Sequence, residues 1–284
     1  MSGSNPIAET LAVPDMALAG MPITLTLKGG KSEFKAGVSS RSRVVVDYDA
    51  PSLDQEKSFE IDLYLDSGAC VDVFHLLTGN EREVLSVNVR YHLKKHSSLN
   101  VWTCVAGGGS ASFVQEVRFE EENAFASLRG LSILSGHSKV THRVLADHAK
   151  AHCISRQFFK TIASGEATSG FESLVAVAKD AVKTDSKQLN KNLVLSGRAR
   201  CQSRPELRIA ADDVACVHGS ATGEIDPAQL FYLRSRGLSK EAARSVMIEG
   251  FAEEVLNDVT YEPVKKRLQL LVQKRTSELS KAAA

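Results

Sequence analysis

The feature that most constrains the fold is a succession of short alternating segments over residues 22–216, with no amphipathic helix between them. Ile23–Leu27 alternates apolar and polar residues, as do residues 59–63, and this period of two predicts half-buried β-strands. Turn-forming residues such as Gly136 and Gly165 separate the segments. Because parallel strands joined as βαβ units need a crossover helix, that architecture is excluded.

The number of these strands narrows the choice among β architectures. About 195 residues with more than about ten strands are too many for a small barrel and fit a coiled β-solenoid. Each coil of a solenoid stacks on the previous one and buries small and aliphatic side chains, which suits a chain with only 6% aromatic residues. No strict repeat period is visible. The pattern therefore predicts an all-β core and favours a β-helix over a sandwich.

The C-terminal part of the chain has helical signals instead. Asp226 is a suitable N-cap with Pro227 at the first helical position, and Gly237 marks the end of that helix. Ser239 predicts the N-cap of a second helix, and a third helix follows Pro263. The predicted organisation is a flexible lead-in over residues 1–20, a β-helix core over residues 21–223 and a helical domain over residues 224–284.

Composition and charge exclude several classes of protein. With 35 basic and 34 acidic residues, the chain has no overall field for gripping nucleic acid or an anionic membrane. It has no uninterrupted apolar run of about 18 residues, and its N-terminus lacks the pattern of a signal peptide. Its 5 cysteines never form a C-x-x-C pair, which fits reduced thiols better than disulfides. We therefore expect a cytoplasmic protein that binds neither nucleic acid nor membrane.

One pair of side chains carries metal-binding chemistry. Cys216 and His218 lie two residues apart on an extended segment, so both project from the same side. A thiolate and an imidazole are suitable ligands for iron, copper or zinc, but two ligands cannot close a four-coordinate site. A metal here needs donors from another chain or from cofactor sulfide. A structural or incidental pair is the alternative.

A second group of metal-capable side chains consists of His142, His148, His152 and Cys153. On a helix, His148 and His152 would share one face and could share a zinc ion. The flanking residues are strand-like, and a spacing of four on a strand separates the side chains by about 13 Å. Structural or surface histidines are therefore expected.

An ordered set of motifs occupies the C-terminal half of the chain. These are SRQ at residues 155–157, KTDSKQLNKNL at 183–193, SRPEL at 203–207, DDVACVHGSATG at 212–223 and QLFYLRSRG at 229–237. Together they resemble the SufB/SufD family of iron–sulfur cluster assembly proteins over about residues 137–259. The resemblance is SufD-like, because a SufB-like chain would have glutamate after His218 and cysteine where Leu233 stands.

The resemblance implies a right-handed parallel β-helix followed by a helical C-terminal domain. It also implies a non-catalytic scaffold that pairs through its β-helix with a SufB-like subunit and docks a SufC-like ABC ATPase, which hydrolyses the ATP. His218 and Cys216 would then lie at the subunit interface where a transient iron–sulfur cluster forms, with no tightly bound cofactor. The segment implied to approach the ATPase contains Phe231, Tyr232, Arg234 and Arg236. For the two arginines, capping of the carbonyls at the helix end is the alternative reading.

Other functions stay open at this point. SufD chains are usually longer, with an N-terminal helical region that is nearly absent here. The chain could instead form a self-pairing, homodimeric SufBD-type scaffold, or a β-helix adaptor without cluster chemistry. A polysaccharide-degrading β-helix enzyme is disfavoured, because such enzymes need stacking aromatic residues and a secretion signal.

Overall fold

The computed structural model describes residues 9–13, 23–27, 30–48, 56–78, 84–107 and 109–282. Most of the predicted lead-in, residues 1–20, lies outside this part of the chain, and its described portion, Glu9–Val13, is a strand. The strands are β1 Glu9–Val13, β2 Ile23–Leu27, β3 Gly30–Ala36, β4 Arg41–Tyr48, β5 Glu56–Leu65, β6 Cys70–Leu77, β7 Val84–Leu93, β8 Ser98–Gly107, β9 Ser110–Phe119, β10 Phe125–Leu134, β11 Lys139–His148, β12 Ile154–Ala163, β13 Thr168–Val177, β14 Asp185–Val194, β15 Arg200–Ile209 and β16 Ala215–Gly223. The helices are α1 Pro227–Ser235, α2 Lys240–Leu256 and α3 Glu262–Ala282.

The strands form two parallel sheets of 8 strands each, one with the odd-numbered and one with the even-numbered strands. Phe125 pairs with Ile154, and Ile154 pairs with Asp185, so one coil takes 29 to 31 residues. Each coil therefore adds one strand to each sheet. The predicted parallel β-solenoid is confirmed.

The main core lies between the two sheets. Alternate residues of each strand point inward, as Leu85, Val87 and Val89 do in β7, and they are buried. Burying an aliphatic side chain stabilises the fold by about 1.5–3 kcal/mol. The stacked coils therefore need few aromatic residues to be stable.

One corner of the solenoid repeats a backbone conformation rather than a residue type. A residue with left-handed φ recurs there once per coil, and its N–H bonds to a carbonyl of the next coil. These residues are Ser39, Gly68, His96, Asn123, His152 and Lys183. At another corner, a Cβ on Gly165 would lie 2.9 Å from the Gly136 nitrogen, so the stacked turns there require glycine.

The helices begin where the sequence predicts. The Asp226 side chain accepts a hydrogen bond from the Ala228 N–H, and the Ser239 side chain accepts one from the Ala242 N–H. Gly237 has φ 96° just after α1. Among the described residues, no helix is long and apolar enough to cross a membrane.

Helices α2 and α3 fold back onto the outer face of the even-numbered sheet. Ile248 and Val255 of α2 are buried in one cluster with Trp102, Leu131 and Ile162 of the sheet. The second core therefore exists because β8, β10 and β12 carry apolar residues on both faces. The solenoid and the helices are packed together through it.

Candidate functional site

Cys216 and His218 lie on β16, the last strand of the even-numbered sheet. In the register with β14, Cys216 pairs with Ser186 and His218 with Gln188. Ser186 and Gln188 are buried inner residues, so Cys216 and His218 both face the interior at the open end of the solenoid. The predicted shared side is therefore observed. No described coil stacks on them, and accordingly Cys216 is half-buried and His218 is exposed.

The environment of Cys216 favours its protonated thiol. Partial burial raises the pKa of this thiol, a hydrogen bond with the Ser186 backbone opposes the rise, and the Asp185 carboxylate adds to it. A metal that binds this sulfur must therefore displace a proton. Cys216 can therefore bind a thiophilic metal as a thiolate, whereas its protonated thiol is favoured when no metal is bound.

The last coil alone does not provide a complete metal site. In the described part of the chain, no three His, Cys, Asp or Glu side chains converge so that they could hold a metal ion. Cys201 faces inward on the neighbouring edge strand β15, where it pairs with Ser169, and burial raises its pKa to about 11. Cys216 and His218 thus provide two of the four donors that a four-coordinate site requires.

The histidines of the second group of metal-capable residues are either buried beside hydroxyl groups or exposed at a turn. His142 is buried and lies 2.9 Å from the Ser132 hydroxyl, and His148 is buried and lies 2.8 Å from the Ser155 hydroxyl. His152 occupies a left-handed turn position on the surface. Within the described ranges, these side chains do not form a group of three that could hold a metal ion.

Three of the residues predicted to approach an ATPase lie on α1, and Arg236 follows directly after it. None of the residues of α1 is buried, and Phe231 and Tyr232 are 73% and 56% exposed. The Arg236 guanidinium lies 5.3 Å from the centre of the Tyr232 ring. At the helix end, backbone N–H groups such as that of Arg236 bind the last carbonyls. Among the described residues, the side chains of Arg234 and Arg236 do not cap those carbonyls.

A cleft of about 560 Å³ separates the end of β16 from α1 and α2. Its lining includes Thr222 of β16, Gln229 of α1 and Met247 of α2. The cleft is continuous with the exposed side of α1. The surface around the last coil is therefore concave and partly apolar.

The two edge strands of the last coil differ in chemistry. β15 carries Arg200, Arg204 and Arg208 together with Pro205, and such residues discourage pairing with another strand. β16 has 9 residues and no charged or proline residue. Of the two described edges at this end, that of β16 is the one open to strand addition.

Sequence reasoning missed the polar contacts that attach the helices to the solenoid. The Lys160 ammonium lies buried on the outer face of β12 and binds the Glu254 carboxylate and, at 2.7 Å, the Phe251 carbonyl. Lys191 of β14 binds Glu254 at 3.1 Å. The only sequence signal for this contact is a lysine directly after two phenylalanines, Phe158 and Phe159, in β12.

Comparison with known proteins gives a consistent family. Residues 32–251 match the family model described as SUF system FeS cluster assembly, SufBD core domain. The chain is 35% identical over 162 residues to the iron–sulfur cluster assembly protein SufD of Escherichia coli, covering 57% of this chain and 38% of that protein. It is 34% identical over 184 residues to a SufBD family protein of Mycobacterium leprae, covering 62% and 47%. It is 38% identical over 109 residues to SufD of Bacillus subtilis, covering 38% and 25%. The matches thus span less than half the length of these curated relatives.

Proposed function

The chain belongs to the SufBD family of the SUF iron–sulfur cluster assembly system, on its SufD-like side, and we propose that it is a non-catalytic scaffold subunit for cluster assembly. The observation that carries the proposal is the inward-facing pair Cys216 and His218 on an open last coil. The nascent cluster is the cargo of this site rather than a resident cofactor. A site of that kind should hold its cargo weakly.

The incomplete ligand set fits a site shared between two subunits. Cys216 provides a thiolate once its proton is displaced, and His218 provides an imidazole nitrogen. The remaining donors come from a SufB-like partner or from cluster sulfide. Assembly of the cluster then depends on assembly of the complex, which is a useful property in a transient scaffold.

Pairing takes place through the edge of β16. This strand exposes backbone N–H and C=O groups without the charged residues that protect β15. A strand of the partner that adds to β16 lies beside Cys216 and His218. The same event therefore joins the subunits and completes the ligand set.

The helical domain docks a SufC-like ATPase through α1. Exposed aromatic residues flanked by arginine are typical of the anchors of protein interfaces. Phe231 and Tyr232 are such aromatic residues, with Arg234 and Arg236 beside them. ATP hydrolysis belongs to the docked subunit.

The test of the cluster site is reconstitution with purified SufB-like and SufC-like subunits, iron and sulfide, followed by absorbance and iron content. The variants are Cys216→Ala and His218→Ala. The matched controls are Cys201→Ala, a thiol on the inner face of β15, and Ser220→Ala, the next inward residue of β16. We expect both site variants to keep the complex but to lose most of the cluster, while the controls retain it. Equal cluster yield in all four variants would disprove the role of the pair.

The pairing itself is tested by light scattering of the chain alone and of the chain mixed with the SufB-like subunit. A stable heterodimer supports the proposal, and Val217→Pro, a change at an exposed residue of the β16 edge, should abolish it. A homodimer of the chain alone that excludes the SufB-like subunit would favour a self-pairing scaffold. A monomer that binds neither subunit would leave a β-helix adaptor and refute the scaffold function.

A further inference from the structure

A groove of about 220 Å³ lies on the outer face of the even-numbered sheet, beside the end of α2, and is separate from the Cys216 and His218 site. We call it the cation groove. Its charged and apolar lining comprises Arg129, Arg156, Lys187, Phe158, Leu189, Glu254 and Asp258. Three of its residues are cations on three adjacent strands, β10, β12 and β14.

Two of these cations are direct neighbours. Arg156 and Lys187 are register partners on β12 and β14 and point to the same face. Adjacent strands lie about 4.8 Å apart, and like charges directly opposite each other are destabilising. An arrangement of this kind needs a carboxylate to compensate it.

A second pair of neighbouring cations on the same sheet is compensated by a carboxylate. Lys160 and Lys191 are also register partners on β12 and β14, four residues further along. There, Glu254 of α2 lies between them and binds both ammonium groups. The helix that covers this part of the sheet thus supplies one carboxylate to a pair of lysines.

Among the described residues, no carboxylate binds both members of the pair in the cation groove. Arg156 binds the Asp185 carboxylate and Arg129 binds Asp258 at 2.6 Å. Lys187 is exposed and has no ion pair or hydrogen bond with any described residue. Helix α2 ends at Leu256, so it does not extend over this second pair.

The floor of the groove leads toward the open edge. Phe158 and Leu189 are half-buried register partners, and Leu189 pairs in turn with Gly219 of β16. Likewise Lys187 pairs with Val217, which is 56% exposed at the edge strand. A segment lying in the groove therefore reaches a strand added to β16 by crossing the outer face of β16 at Val217 and Gly219.

We propose that the cation groove receives an acidic segment of the subunit that pairs at the β16 edge, with a carboxylate over Lys187 and Arg156 and an aliphatic side chain on Leu189. This inference rests on the proposed pairing through β16. A carboxylate of the acidic segment then binds Lys187 and Arg156 together, as Glu254 binds Lys160 and Lys191. It also fixes the orientation of the partner relative to the sheet.

The first measurement uses a probe that does not depend on the pairing. A fluorescein-labelled octapeptide of alternating glutamate and leucine is titrated with the full chain and followed by fluorescence anisotropy at low and high ionic strength. Wild type should bind, and more weakly at high salt. Lys187→Glu should weaken binding by about 3- to 10-fold, since one favourable rim pair becomes a repulsion. Lys139→Glu makes the same charge change at an exposed strand lysine on the opposite sheet and should leave binding unchanged.

The second measurement is the affinity of the purified SufB-like subunit for the same variants. A loss with Lys187→Glu of similar size, but not with Lys139→Glu, supports the assignment to the pairing subunit. Peptide binding that is absent, or that Lys187→Glu leaves unchanged, overturns the inference whatever the subunit does. If the peptide responds to Lys187→Glu and the subunit does not, the groove serves a different acidic partner and the assignment is wrong. If the wild-type subunit does not bind at all, it is the proposed pairing that fails.

Discussion

Glu254→Gln and Lys160→Met should change stability by different amounts, although each breaks the same ion pair. The Lys160 side chain is 1% exposed, whereas that of Glu254 is 48% exposed. Removing the carboxylate leaves a buried ammonium without its counter-charge, whereas removing the ammonium leaves a carboxylate that still reaches water and Lys191. Losing one partner of a buried pair commonly costs about 3–5 kcal/mol, and replacing a buried ion by an apolar group of similar size is often neutral.

These values fix the expected magnitudes. Discounted for the solvent around Glu254, the charge-removing variant Glu254→Gln should lower the free energy of unfolding by about 1–3 kcal/mol. Lys160→Met should stay within about 1 kcal/mol of wild type, because the lost contact with the Phe251 ring offsets the relieved burial of charge. The double variant should be more stable than Glu254→Gln, since no stranded ammonium remains. Glu249→Gln makes the same charge change on the same helix without an ion pair among the described residues, and should change stability by less than about 0.5 kcal/mol.

The assay is urea unfolding followed by the fluorescence of Trp102, the single tryptophan, which is buried where the helices meet the sheet. Undocking of the helices is therefore visible even if the solenoid stays folded. The hydrogen bond with Lys160 lowers the pKa of Glu254. The contribution of this ion pair to stability is therefore complete above the ordinary carboxyl pKa of 4.5 and disappears as the pH falls through the lowered pKa. The difference between wild type and Glu254→Gln should shrink accordingly in acid. If Lys160→Met is destabilised as much as Glu254→Gln at neutral pH, the reasoning is refuted.

Three further predictions concern the interior. A Cβ on Gly130 would lie 2.1 Å from the Phe159 ring, so Gly130→Ala should lower the free energy of unfolding in urea by about 1–3 kcal/mol. The control Gly197→Ala places its Cβ in open space and should lower it by less than about 0.5 kcal/mol. Burial lowers the pKa of three histidines to about 3 or 4, namely those of His75, His142 and His148. They do not take up a proton in the folded state above about pH 5, whereas they do in the unfolded chain. The free energy of unfolding should therefore fall by about 2 kcal/mol per histidine between pH 7 and pH 5. A flat profile would argue against their burial. Burial raises the pKa of Cys104 to about 12, whereas Cys216 is only half-buried. Iodoacetamide labelling at pH 8, followed by peptide mapping, should therefore modify Cys216 well before Cys104. The reverse order would contradict the exposure of β16.

Local signals predicted the elements of this fold well, because they act within a few residues. Asp226 and Ser239 cap their helices as predicted, since a side-chain oxygen bonds an N–H two or three residues away. The alternation in β2 and in residues 59–63 of β5 likewise predicted strands directly. What these signals could not supply is how the elements stack.

The repeat of the coil was invisible for a physical reason. At the corner with left-handed φ, residues as different as Ser39, Asn123 and Lys183 occupy equivalent positions. The bonds that join the coils there come from backbone N–H and C=O groups, which every residue other than proline has. The repeat is therefore one of conformation, and it leaves only a weak trace in residue identity.

The polarity of the interior explains why the last described coil can end at Cys216 and His218 with no described residue capping it. Inner residues of β7, such as Val87, are apolar, whereas the inner residues of β14 include Gln188 and Asn190. An apolar coil left open would expose a surface that associates without specificity, whereas polar inner side chains can meet either water or the polar groups of a partner. The gradient thus permits an open end, and the open end leaves two metal ligands without the rest of a site. The period of two in the sequence could place Cys216 and His218 on one side, but only the stacked coils show that this side faces an unfinished interior.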